Sequence, residues 1–218
     1  MESLDDYILR HTDEENPRLA ALYRSAWLHL MNPRMSSGHV QGRVLKMLVA
    51  MARPRHILEI GTFAGYSALC MAEALTGEGR LTTFEIDDEL EDFTRPQIEG
   101  SPWAVRIDFR IGDALVEVPR LGETYDFVFI DGDKRHYVEY YEMVMQHTTS
   151  DAFILADNTL WDGHVTDPAY DRDAQTIAIR DFNDRLVADR RVEKVILPVR
   201  DGLTLIHKIP NLQNAKPE

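Results

Sequence analysis

Apolar and polar residues follow two successive rhythms along this chain. Up to residue 52 the apolar positions recur at helical spacing. Leu4, Tyr7 and Ile8 share one face of a first helix, and Asn16-Pro17 reads as the N-cap and first-turn proline of a second that carries Leu19, Leu22, Tyr23 and Ala26. The segment Met35-Ser36-Ser37-Gly38 breaks the pattern. A third helix then turns Val40, Val44, Leu45 and Leu48 inward and stops before Pro54. From His56 onward short apolar runs alternate with helical stretches, the mark of an α/β doubly wound sheet. The runs predict strands at 56–60, 81–85, about 105–110, 126–130 and 153–156. A long helix near 173–189 precedes two more strands, Val192–Pro198 and Leu203–Lys208, separated by Arg200-Asp201-Gly202 and so expected to form an antiparallel hairpin.

Candidate chemistry begins where the first strand ends. Glu59-Ile60-Gly61-Thr62-Phe63-Ala64-Gly65-Tyr66-Ser67 runs from strand into glycine turn into helix. Such a turn lets backbone N–H groups approach a ligand closely. The spacing Glu-x-Gly-x-x-x-Gly differs from the dinucleotide-binding turn and lacks the lysine of a phosphate loop. An acid within the strand would repel a pyrophosphate but suits a ligand with an amino group. The second strand ends at Glu85, some twenty residues beyond the turn, where an acid holds the ribose hydroxyls of a nucleoside.

Composition narrows the classes. At 218 residues the chain fits one domain, with 44% hydrophobic and 28% charged residues, as in soluble globular proteins. A net charge of −13 argues against nucleic acid or an anionic membrane as the main partner. The single cysteine, Cys70, excludes an intrachain disulfide and reads as a small core residue. No apolar run approaches membrane-spanning length, and the acidic N-terminus lacks a signal-peptide core, so the expected location is cytoplasmic. The residues after Pro210 read as a loose polar tail.

Two further strand ends carry polar clusters. The run Phe127-Val128-Phe129-Ile130 leads into Asp131-Gly132-Asp133-Lys134, and Phe153-Ile154-Leu155-Ala156 leads into Asp157-Asn158. Parallel neighbours about 5 Å apart would bring Asp131, Asp157 and Asn158 into one coordination sphere of oxygen donors, suited to a hard cation such as magnesium. The competing reading is that Asp131 caps the next helix and Asp157-Asn158 the next turn.

The three stretches Glu-Ile-Gly-Thr-Phe-Ala-Gly-Tyr-Ser, Phe-Ile-Asp-Gly-Asp-Lys-Arg-His-Tyr and Ala-Asp-Asn-Thr-Leu-Trp-Asp-Gly-His-Val, with the Leu197-Pro198-x-x-Asp201-Gly202 hairpin, together resemble the cation-dependent O-methyltransferases of the catechol and caffeoyl-coenzyme A type, including small bacterial relatives. The likeness covers residues 30 to 208. It implies a seven-stranded, Rossmann-like fold binding S-adenosylmethionine, and usually a homodimer. By the resemblance, Gly61, Thr62, Gly65, Tyr66 and Ser67 form the turn for the methionine moiety, with Glu59 in the strand beneath. Glu85 matches the acid on the ribose, Gly112-Asp113-Ala114 the turn touching adenine, and Met35 with Ser37 a segment over the cofactor. Asp131, which also borders the cofactor, matches with Asp157 and Asn158 the ligands of Mg2+, or of Mn2+ or Ca2+, and Lys134 matches the catalytic base. The implied acceptor is a small hydroxylated aromatic such as a catechol.

The chain departs from the pattern at Asp131-Gly132-Asp133-Lys134-Arg135-His136-Tyr137, where the family commonly reads Asp-Ala-Asp-Lys-x-Asn-Tyr. Trp161, in the acidic 159–176 loop, could stack on an aromatic acceptor or pack the loop on the body. The alternatives are the same chemistry on a hydroxylated nucleoside of transfer RNA, disfavoured by charge, a nicotinamide dehydrogenase, disfavoured by glycine spacing, and a non-catalytic cofactor-binding module, disfavoured by the intact Asp131, Asp157, Asn158 and Lys134 set.

Overall fold

The computed structural model of the protein describes residues 2–210; the expected polar tail lies outside them. Eight α-helices and seven strands are found among these residues: α1 (Leu4–Arg10), α2 (Pro17–His29), α3 (Gly38–Ala52), β1 (His56–Ile60), α4 (Tyr66–Ala72), β2 (Arg80–Glu85), α5 (Glu91–Glu99), β3 (Ile107–Ile111), α6 (Ala114–Leu121), β4 (Tyr125–Ile130), α7 (Tyr137–His147), β5 (Thr148–Ala156), α8 (Ala174–Ala188), β6 (Val192–Leu197) and β7 (Leu203–Lys208). The strands form one mixed sheet in the order β3-β2-β1-β4-β5-β7-β6. The pairs β2–β3, β1–β4 and β4–β5 are parallel, whereas β7 runs antiparallel to β5 and β6. The mostly parallel, Rossmann-like sheet with a closing hairpin is as the sequence predicts. Only β5 differs much, starting at Thr148 rather than Phe153. Its early residues are polar, Thr148 buried and Thr149-Ser150-Asp151 exposed, so no apolar run marks them.

The chain divides into two compact units, one of residues up to Arg55 with Thr62–Gly112, the other of His56–Gly61 with the residues from Asp113 onward. In the first, α2 has the expected Asn16 cap, accepting from Arg18 N–H at 3.0 Å, and buries Leu19, Leu22 and Ala26 in a cluster with Tyr66, Leu69 and Cys70 of α4. Cys70 is a core residue, as expected, its thiol pushed up to about 12 chiefly by burial. The inward stripe of α3 differs from the expected one. Gln41, Gly42, Leu45 and Val49 are buried, while Val40, Val44 and Leu48 are half-buried. Contact with α4 falls where Gly42 admits it, and neither Gly42 nor Gln41 registers in an apolar pattern. Leu4, Tyr7 and Ile8 of α1 are all exposed.

In the second unit β1, β4 and the later half of β5, from Ala152, are largely buried and apolar, which is why they read as continuous runs. Tyr137 and Tyr141 of α7 meet Phe182 of α8 edge-on, with ring centres 5.4 and 6.0 Å apart. Tyr141 also donates to Asp189, beyond the end of α8, at 2.8 Å.

Candidate active site

In the first unit, the turn before α4 is held by its own polar groups. Gly65 N–H donates to Thr62 O at 2.8 Å, and the Thr62 and Thr83 hydroxyls share a 2.6 Å hydrogen bond. Glu85 closes β2 and is buried. Its Oε2 accepts from Phe63 N–H at 2.7 Å and its Oε1 from Asp87 N–H at 3.0 Å. The acid expected on a ribose therefore also ties the glycine turn to the end of β2. Tyr66 donates to Glu15 at 2.5 Å, and burial with this carboxylate raises its phenol far above its ordinary range. Ser67 and Ser37 are buried, whereas Met35 is exposed.

In the second unit, three strand ends are in step. Ile60 pairs with Ile130, and Ile130 with Ala156. One residue further, Asp131 N–H donates to Ile60 O at 2.8 Å and Asp157 N–H to Ile130 O at 3.0 Å. Gly61 follows buried Glu59 and β1 with φ +97°, and a Cβ there would lie 2.3 Å from Asp131 O. Only glycine permits that backbone contact. Asp113 caps α6, accepting from Leu115 N–H at 2.9 Å, with Ala114 buried beside it. The capping alternative for Asp131 fails, because Asp133 caps the following 3-10 turn through Arg135 N–H at 3.0 Å. For Asp157 it holds locally: its Oδ1 accepts from Asn158 N–H at 2.8 Å.

The Lys134 side chain is only 9% exposed. Its Nζ donates to Asp131 Oδ1 at 2.8 Å and to the Tyr137 hydroxyl at 2.7 Å. Tyr137 is wholly buried and donates to Asp157 O at 2.9 Å. Burial, with the Asp131 and Asp157 carboxylates adding, raises its phenol well above its ordinary range, so it stays a donor. Sequence reasoning gave Tyr137 no role; its place three residues after Lys134 was the available signal. Asn158 has a left-handed backbone, φ 56°. Its Nδ2 donates to Asp201 Oδ2 at 3.4 Å, and its Oδ1 accepts nothing among the described residues. Asp201, too, had no assigned role, although its hairpin motif was visible.

His136 is exposed, as a surface histidine would be, with its ring edge-on to Tyr140 at 6.2 Å. A Cβ at Gly132 would lie 2.9 Å from the Tyr140 ring and 3.2 Å from Ile60 Cγ2. In the 159–176 loop His164 stacks on Tyr170 at 3.5 Å, and Trp161 is half-buried. No three His, Cys, Asp or Glu side chains converge as a metal-holding group among the described residues. The strand-end set has two carboxylates and one amide.

A family model described as O-methyltransferase matches residues 10–209. The chain belongs to the O-methyltransferase family. This methyltransferase is 35% identical over 189 residues to tricin synthase 1 of Oryza sativa subsp. japonica, covering 80% of this chain and 75% of that protein. It is 35% identical over 190 residues to caffeoyl-CoA O-methyltransferase 2 of Eucalyptus globulus, again covering 80% and 75%. Among solved structures, the O-methyltransferase of Bacillus cereus in complex with SAH superposes with a TM-score of 0.86 at 28% identity, covering 94% of this chain and 96% of that one. TomG of Streptomyces achromogenes, involved in tomaymycin synthesis and solved with SAM, gives 0.86 at 27% identity, also covering 94% and 96%. The methyltransferase is of the S-adenosylmethionine-dependent type. No helix among its described residues is long and apolar enough to cross a membrane.

Proposed function

We propose that this methyltransferase depends on a divalent cation and transfers the methyl group of S-adenosylmethionine to one hydroxyl of a catechol-like or other vicinal-diol small molecule. The carrying observation is that Asp131 and Asp157 each stand one residue beyond paired ends of neighbouring strands, and that Asn158, next in the chain, has an amide oxygen that accepts no hydrogen bond among the described residues. Two carboxylates and an amide oxygen are hard donors that leave positions for substrate oxygens. Asp131 Oδ2, unlike Oδ1, makes no hydrogen bond among the described residues, so the donor set fits a cation without displacing Lys134. The caffeoyl group in the relatives' names carries two vicinal phenolic hydroxyls.

When bound, the cation would hold two vicinal oxygens and lower the pKa of the one to be methylated. Asp131, Asp157 and Asn158 would hold it. Lys134, fixed between Asp131 and Tyr137, would be the base that takes the hydroxyl proton. The acceptor oxygen would attack the methyl carbon in line as the carbon–sulfur bond breaks and S-adenosylhomocysteine leaves, so positioning supplies much of the rate. Glu85 would accept the ribose hydroxyls on lone pairs left by Phe63 and Asp87, and Met35, Ser37, Glu59, Gly61, Thr62, Gly65, Tyr66, Ser67, Asp113 and Ala114 would border the cofactor. A transfer RNA acceptor has the net charge of −13 against it.

The test is a panel of catechols, with bulk transfer RNA alongside, assayed with labelled S-adenosylmethionine before and after chelation. Catechol methylation should stop in EDTA and return with magnesium or manganese. Full transfer to an identified acceptor after metal stripping would refute cation dependence, and methylation of RNA alone would refute the acceptor class.

A further inference from the structure

The turn between β6 and β7 grips the segment that follows β5. Thr159 N–H donates to Gly202 O at 3.0 Å, Leu160 N–H to Asp201 O at 2.9 Å, and the Thr204 hydroxyl to the Thr159 hydroxyl at 2.7 Å. None of these bonds uses the Asp201 side chain. That side chain makes two bonds of its own, Oδ1 accepting from Asp162 N–H and Oδ2 from Asn158 Nδ2 at 3.4 Å.

A carboxylate only accepts, whereas an amide has a donating and an accepting end. The end of Asn158 that faces Asp201 must therefore be its NH2, which leaves Oδ1 as the end available elsewhere. A free asparagine amide can turn over, and with its NH2 toward a cation it is a repulsive neighbour instead of a ligand. We propose that Asp201 is a positioning residue that fixes the Asn158 amide with its oxygen presented to the cation. The proposal rests on the cation-dependent reading above. It also accounts for an aspartate, not merely any turn residue, before Gly202 in the hairpin. Partners of this kind orient metal ligands, and their loss commonly costs 10–100-fold in metal affinity.

The test is a swap read by metal binding. In Asp201→Asn the new side-chain oxygen stays with Asp162 N–H, because a main-chain donor cannot invert. Its NH2 then faces Asn158, whose amide must turn and withdraw its oxygen. Manganese affinity, by calorimetry, should fall at least tenfold, while affinity for S-adenosylhomocysteine should stay within about twofold of the parent. Asn158→Asp offers an acceptor at both ends, so it should raise manganese affinity at least tenfold more in the Asp201→Asn background than in the wild type. Equal gains in the two backgrounds, or undiminished manganese affinity in Asp201→Asn, overturn the proposal. Wild-type enzyme without measurable manganese affinity overturns this proposal and the cation reading together. If no Asp201 variant folds, wild-type protein labelled at asparagine nitrogen decides. The Asn158 side-chain NH2 should exchange with solvent at least tenfold more slowly than an exposed amide, with magnesium or without, and exchange at the free rate in the loaded enzyme overturns the assignment.

Discussion

The Tyr137 hydroxyl donates to the main-chain oxygen of Asp157 at 2.9 Å. Through it the base candidate on one strand end is tied to the backbone of the next, since the same hydroxyl accepts from Lys134 at 2.7 Å. Tyr137→Phe removes both bonds, with a longer one to Ile130 O at 3.3 Å, and leaves the buried Lys134 Nζ short of one acceptor. It should destabilise the fold by about 1–3 kcal/mol and lower kcat, with little effect on cofactor affinity. Thermal unfolding and steady-state kinetics check this. A variant that melts and turns over like the parent would show the tyrosine to be packing alone.

Lys134→Ala should act on chemistry more than on binding. Loss of a positioned base lowers kcat by roughly 10²–10⁴-fold at neutral pH, with partial recovery at high pH as the acceptor ionises unaided. Cofactor affinity should change little. The pH profile of kcat is the measurement, and a parallel profile displaced equally at every pH counts against a base.

Glu85→Ala should do more than remove a ligand for the ribose. The carboxylate also accepts from Phe63 and Asp87, so the glycine turn loses its tie to β2. The expected loss of S-adenosylmethionine affinity is about 1–3 kcal/mol by calorimetry, accompanied by a lower melting temperature without any cofactor. Unchanged affinity removes the ribose assignment; unchanged melting removes the structural one.

Asp189, between α8 and β6, is an acid-labile point. The hydrogen bond from Arg191 pulls its carboxyl down to about 2, against burial that would raise it, with Tyr141 also donating. A depressed folded pKa contributes stability above the unfolded value, about 3.9, and that contribution fades as pH falls towards the folded one. The melting-temperature gap between wild type and Asp189→Asn should thus be full at pH 6 and close between pH 4 and about 2. A gap that stays constant down to the lower limit contradicts this.

The sheet was legible because its central strands are buried on both faces, so Ile57–Ile60 and Phe127–Ile130 read as apolar runs ended by Gly61 or Asp131. Once β4 and β5 are parallel neighbours, with Ile130 opposite Ala156, register alone sets Asp131 beside Asp157. Other features are made by contacts between distant residues. Tyr137 reaches Asp157 across 20 positions and Asp201 reaches Asn158 across 43, and neither partner is implied by local spacing. The second duty of Glu85 was hidden for the same reason, since Phe63 lies 22 residues away. The stripe of α3 was misread because its contact line contains Gln41 and Gly42, residues that apolar periodicity does not count.

The backbone of Gly132 runs so near the Tyr140 ring that a methyl added there would lie 2.9 Å from it. Position 132 therefore acts as clearance and not as a side chain, since any residue larger than glycine has to move the ring first. Alanine at 132 measures how far Tyr140 can give, and a smaller residue at 140 should relieve the crowding.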